Sequence, residues 1–133
     1  MNIELIQLID IILYRLNKSL INTNKAYFDF SAGHDSRTPS EILAHLVDVS
    51  NYGLGIAGAE KPQNLESSVL EKISENFIAM KSHLSNKTVD EDTAKKLING
   101  PLSDALTHIG QLALLRRLTG SPIAWENYTQ ANT

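Results

Sequence analysis

The chain has 133 residues, 42% hydrophobic and 20% charged, with 12 Lys and Arg against 15 Asp and Glu and a net charge of −3. That length suits one domain with a core of its own, and the scattered cations (Lys95-Lys96 and Arg116-Arg117 are the only adjacent pairs) do not make the positive cluster that a nucleic-acid backbone requires. With no cysteine, disulfides, thiolate zinc sites and a cysteine nucleophile are excluded.

Residues 2–24 carry Ile3, Ile6 and Ile9 among Leu5, Leu8, Ile12, Leu13, Leu16 and Leu20, a wide apolar face at helical period. Glu4, Asp10 and Arg15 interrupt it, and it has neither a basic start nor a small-residue cleavage site. The segment is therefore expected to be neither a signal peptide nor a membrane span, and the chain is expected in the cytoplasm. "KAYFDFSAGHDSR", 25–37, breaks the period and reads as a loop.

The next start is well marked. "TPSE" makes Thr38 the N-cap, Pro39 the first helical residue and Glu41 the reciprocal partner of a capping box, opening a helix from 39 to about 58. After the turn "KPQ", residues 65–85 put Leu65, Val69, Ile73, Phe77, Met80 and Leu84 on one stripe. A short helix is predicted over 91–98, stopped by Asn99-Gly100-Pro101, and another over 102–119. The latter has Arg116 and Arg117 in its last turn and Gly120 just past its end. The tail 121–133 has no period and is expected to pack on the helices. Nothing alternates at period two for long enough to form a sheet. The expected fold is all-α, a four-helix bundle with a long crossover connection, in a single domain over 1–133.

Within 102–119, three polar groups stand out. At about 100° per residue, His108 lies about 40° from Asp104 and Gln111 about 20° to its other side, so all three leave one narrow strip. Leu102, Leu106, Ile109, Leu112 and Ala113 lie opposite and are expected to supply the core contact. The strip reads either as a solvated face or as one wall of a metal site. Leu114, Leu115 and Leu118 fall on or near it, so its lower half is not an ordinary wet face. Asp and His one turn apart also form a chelating pair.

A metal needs a further ligand, and His45 in "EILAHLVDVSNY" is the best placed, at the edge of the face made by Ile42, Val49 and Ile56. A core role for that histidine is the competing reading. Asp48, one turn on, either orients its imidazole or meets water, and Tyr52 borders the same groove. His34 and Asp35 lie in the preceding loop, where they either close over the site mouth or are solvated. His83 reads as structural, Gly110 as a close helix contact, and Trp125 and Tyr128 as anchors of the tail.

The pairing of "RTPSEILAHLVDV" with "DALTHIGQLALLRRLTGSP" resembles the DinB superfamily of small helical bundles, also called YfiT-like metalloenzymes, and the resemblance runs over nearly the whole chain. It implies a divalent metal (zinc, nickel, iron or manganese) held by a histidine of the second helix and an H-x-x-x-H pair of the late helix. His45 matches the first ligand and His108 the last, while Asp104 stands where the family has its middle histidine. Two imidazoles and one carboxylate still suit a catalytic ion with open positions. Gln111 falls in the family's "G-Q" signature and is expected to brace the Asp104 carboxylate. The resemblance implies thiol-transferase chemistry with a low-molecular-weight thiol such as bacillithiol or mycothiol, and a homodimer. The alternative is a non-catalytic dimeric ligand-binding bundle whose metal site is degenerate. The dense apolar face of 3–13 fits a dimer contact or the core.

Overall fold

Asn2 anchors the start of the first helix: its side-chain amide donates to the carbonyls of Leu84, at 2.9 Å, and Lys87, at 3.1 Å, at the far end of another helix. The computed structural model describes residues 2–133. Its elements are α1 (Ile3–Leu20), α2 (Lys25–Phe28), α3 (Pro39–Ala57), α4 (Val69–Asn86), α5 (Glu91–Leu97), a π-helical turn (Ile98–Leu102), α6 (Ser103–Leu118) and a 3-10 turn (Tyr128–Gln130). Among the described residues there is no strand, and no helix is long and apolar enough to cross a membrane.

The caps explain the boundaries. Thr38 Oγ1 accepts the Glu41 N–H at 3.2 Å, and Glu41 Oε1 accepts the Thr38 N–H at 3.0 Å, so α3 begins where expected. Those two Thr38 contacts hold the Glu41 carboxyl below its ordinary value. An equivalent box, Ser68 with Glu71, starts α4 at Val69 rather than at 65. Leu65, assigned from periodicity to the α4 stripe, lies before that cap and is 96% exposed. The first helix ends at Leu20 rather than 24 because Ile21 is extended and Asn22 is left-handed, with φ of 60°, a region Asn tolerates better than most residues. The predicted loop contains one helical turn, α2. It buries Tyr27, whose hydroxyl donates to the Leu112 carbonyl at 2.7 Å.

Asn99-Gly100-Pro101 does not stop the chain as expected. The helical path continues from α5 into α6 through the π turn, with Pro101 inside it. The wider turn accommodates a residue with no N–H to give, and the Ser103 hydroxyl donates to the Ile98 carbonyl. Gly53 of α3 faces this turn. A Cβ there would lie 2.6 Å from Met80 Cε and 3.3 Å from Pro101 Cβ, so a larger residue would have to push the buried Met80 side chain aside.

Hydrogen-bonded and packed pairs between helices define the topology. Asn76 donates to Ser50 Oγ and Asn51 Oδ1, at 2.9 and 3.0 Å, while Gly53 meets Met80; the two numbers rise together, so α3 and α4 run parallel. That requires the long crossover over 58–68. Lys81 donates to Asp10 at 2.7 Å and Asn2 reaches Leu84, so α1 and α4 are antiparallel. Arg116 at the end of α6 donates to the carbonyls of Ser19 and Ile21 at the end of α1, so those two are parallel. Each of α1 and α3 packs on both α4 and α6. The result is a closed ring of four long helices, with α1 diagonal to α3.

Leu5, Ile9, Ile12 and Leu16 of α1 meet Leu46, Phe77, Met80 and Leu112 in the core, each of them nearly or wholly buried. Burying a side chain of this size contributes about 1.5–3 kcal/mol. On the apolar face of 3–13, Leu5, Ile9 and Ile12 are core, Ile6, Leu8, Ile11 and Leu13 are partly buried, and Ile3 at its end is 64% exposed. Arg116, expected as a simple dipole partner at a helix end, is instead buried. It also donates to the Ser121 carbonyl at 2.7 Å, tying the tail to the bundle. Farther along, Glu126 accepts from Tyr14 and pairs with Lys18, and Tyr128 packs edge-on against Tyr14 with Arg15 over its ring. Trp125 is not an anchor: it is 89% exposed.

Candidate metal centre

The antiparallel crossing of α3 and α6 brings His45, Asp104 and His108 together. Each offers one ligand atom, and the three atoms lie within 4.8 Å of one another. Among the described residues no other group of three His, Asp or Glu side chains does this. His108 is the deepest and Asp104 the most open, with side-chain exposures of 10% and 47%, while His45 is intermediate at 31%. The centre therefore opens to solvent on the Asp104 side.

The carboxylate sits between the two imidazoles. Oδ1 of Asp104 is 3.3 Å from His108 Nε2, and Oδ2 is 3.5 Å from His45 Nε2. A charge-assisted hydrogen bond would close to about 2.7–2.9 Å. The edge between two ligands of a tetrahedral ion with bonds of about 2.0–2.1 Å is about 3.3–3.4 Å. Both separations are longer than a tight ion pair, and the three donors together make a set that can hold a divalent ion. The rings cross at 80° with centroids 4.5 Å apart, so they are edge-to-face rather than stacked.

Gln111 braces the opposite ligand from the one expected. Its Oε1 lies 2.8 Å from His108 Nδ1, one turn back along α6, and not on the Asp104 carboxylate. An amide oxygen can only accept, so Nδ1 donates to it, and Nε2 is the ring nitrogen left facing Asp104, the one that would ligate a metal.

The other sequence candidates fall elsewhere. Asp48 is exposed and, among the described residues, hydrogen-bonds to neither ring. His34 and Asp35 are exposed as well, in left-handed backbone with φ of 55° and 58°, and they shape a turn in which Ser36 N–H and Oγ both donate to the Gly33 carbonyl. His83 is partly buried near the end of α4 and belongs to no group with the triad. Tyr52, 67% exposed, shares a 250 Å³ groove with Val49, Pro101 and Asp104. Gly110 is not a close helix contact, because a Cβ there would meet nothing within 4 Å. The core face of α6 runs through Leu102, Ala105, Ile109 and Leu112 and takes in His108 and Leu115, while Leu106 and Ala113 are only partly buried. The helix is covered by α1 on one flank and α3 on the other, which widens the face beyond a single stripe.

One feature the sequence only hinted at adjoins the triad. A cleft of 360 Å³ opens between α6 and the loop before α3, with Gln111 in its wall and Leu114 and Leu118 along its floor. The signal was the run of leucines on the polar strip. Comparison of the chain with protein-family models, curated proteins and solved structures finds no match.

Proposed function

We propose that this helical bundle is a DinB-like metal-dependent protein, in which His45, Asp104 and His108 hold one divalent ion. The observation that supports the reading is the grouping of His45, Asp104 and His108, one ligand atom of each lying within 4.8 Å of the others, with Gln111 bonded to the far nitrogen of the His108 ring. A divalent ion in such a site supplies the charge that lets a water or thiol lose its proton near neutral pH. In a chain without cysteine, the nucleophile would come from such a small molecule, and a low-molecular-weight thiol is the substrate class proposed. His108 forms the buried side of the centre, with the exposed Gln111 bonded to its ring. Asp104 and His45 form the side that small molecules reach.

A second reading is a non-catalytic ligand-binding bundle. It is favoured by the positions of Asp48 and His34, neither of which joins the triad as a proton carrier. In either reading the proposed homodimer leaves Leu5, Ile9, Ile12 and Leu16 of α1 in the core of each copy.

Elemental analysis of tag-free protein, purified without chelator, tests the proposal. Near-stoichiometric zinc, nickel, iron or manganese is expected, and loss of that metal in His108→Ala. A wild-type protein that takes up none of the four after incubation with each overturns the metal reading and leaves the ligand-binding one.

A further inference from the structure

The cleft beside Gln111 differs chemically from the rest of the surface. Ile42, Leu114, Leu115 and Leu118 line it with Ala32, and two of these, Leu114 and Leu118, are 56% and 54% exposed. Leucines that open to solvent on a helix whose core contact is already complete have no packing role there. The cleft holds one cation, Arg37, and no carboxylate. Arg37 makes no ion pair among the described residues. The acidic side chain whose titration it influences, Glu41, is turned back on the Thr38 N–H. Its backbone is placed by the turn at Gly33, His34 and Asp35, three successive residues at positive φ (82°, 55° and 58°). Two of them are not glycine, and such strain concentrates where a loop must present a side chain.

Gln111 joins this cleft to the triad. Its Oε1 is committed to His108, and its amide N–H groups donate to nothing in the chain among the described residues. They are free to face a ligand. A cleft of similar size, 370 Å³, lies under the crossover, but it does not include Gln111 and has Glu75 among its polar lining.

We propose that the cleft between α6 and the 29–38 loop binds an aliphatic monocarboxylate, with its anionic head on Arg37 and its hydrocarbon body on Leu114, Leu115 and Leu118. A single guanidinium, with no second cation in the cleft, matches one negative charge, and the apolar remainder of the lining matches a hydrocarbon body. The volume lies at the small end of ligand pockets, which suits a chain of several carbons rather than a nucleotide or peptide. Where the preceding proposal holds, this ligand lies one hydrogen-bonded residue from the ion. The cleft itself exists without the ion, so the two ideas fail separately.

Isothermal titration of the full-length protein with octanoate decides it, run on protein as purified, on chelator-stripped protein, and on the variants Arg37→Ala and Leu114→Asp. Both substitutions are at exposed positions, and circular dichroism checks the fold of each. Saturable one-to-one binding is expected, unchanged by stripping, weakened roughly tenfold in Arg37→Ala and by at least as much in Leu114→Asp. Octylamine is expected not to bind. Octanoate binding that disappears on stripping yet survives Arg37→Ala would put the carboxylate on the metal and overturn the assignment while sparing the metal centre. Absence of saturable binding in every preparation overturns the cleft proposal, and the metal analysis stands apart from it.

Discussion

Gln111 and Tyr27 show how much one hydrogen bond controls in this bundle. Gln111 fixes the His108 ring from behind, so Gln111→Ala is expected to lower metal affinity about 10–100-fold without changing the ligand set. Competition against a chromogenic chelator measures this, and an unchanged affinity would show that the ring needs no brace. Tyr27 is buried, and burial pushes its phenol up to about 12 against the ordinary 10, with the charge of Arg116 pulling weakly the other way. The folded state therefore favours the neutral phenol. Its contribution is complete below pH 10 and is lost as pH climbs from 10 to about 12. In a spectrophotometric titration of the four tyrosines, Tyr27 is expected to ionise last and together with unfolding. Tyr27→Phe should remove that alkaline step, at a cost of about 1 kcal/mol near neutrality for the lost bond to the Leu112 carbonyl.

Two glycines two residues apart on α3 make opposite predictions at the level of elements. Gly55 has open space where a Cβ would go, so Gly55→Ala should stabilise by up to about 1 kcal/mol through helix propensity alone. Gly53 has Met80 and Pro101 against it, both buried, and Gly53→Ala should destabilise by about 1–3 kcal/mol despite the same propensity gain. Urea midpoints for the pair measure the difference, and equal midpoints would mean that Met80 swings aside freely. The same helix shows which features the sequence made legible. Thr38 to Glu41 could be read directly because all the atoms of that cap belong to four adjacent residues. Ser68 and Glu71 form the same cap, yet the apolar Leu65 in phase with Val69 carried the predicted helix past it. The π turn was hidden because Asn-Gly-Pro is a stop signal in local terms, and only packing against Gly53 keeps the chain helical through it. His108 and Asp104 were visible from their spacing, and His45 from its place at the edge of an apolar face. The partner of Gln111 was not, since periodicity gives the face a side chain leaves from and not the neighbour its rotamer selects.

For the molecule as a whole, the tail is tied down by charge on α1. Lys18 and Tyr14 hold the Glu126 carboxyl below its ordinary 4.5, and the same contact holds the Tyr14 hydroxyl above 10. The depressed carboxyl gives a contribution that is present above pH 4.5 and disappears as pH falls through its lowered folded value. The raised phenol gives one that is present below pH 10 and disappears as pH rises through its own. The segment 122–133 should therefore be released at both extremes before the helices unfold, and Glu126→Gln should release it at neutral pH. Limited proteolysis after Lys18 or near Trp125, followed across pH, reads this directly. Cleavage that tracks global unfolding at every pH would show the tail and bundle to be one cooperative unit.

The diagonal placement of α1 and α3 sets conditions on how the protein is made. The helix that follows α1 on the nascent chain is not one it packs against in the ring, and its two neighbours, α4 and α6, are still to come. Leu5, Ile9, Ile12 and Leu16 leave the ribosome as an uncovered apolar stripe. The end of α6, which Arg116 locks to the end of α1, follows about 100 residues later, roughly 5–20 s at ordinary rates of translation. For that interval the amino-terminal helix is the segment a nascent-chain chaperone would cover.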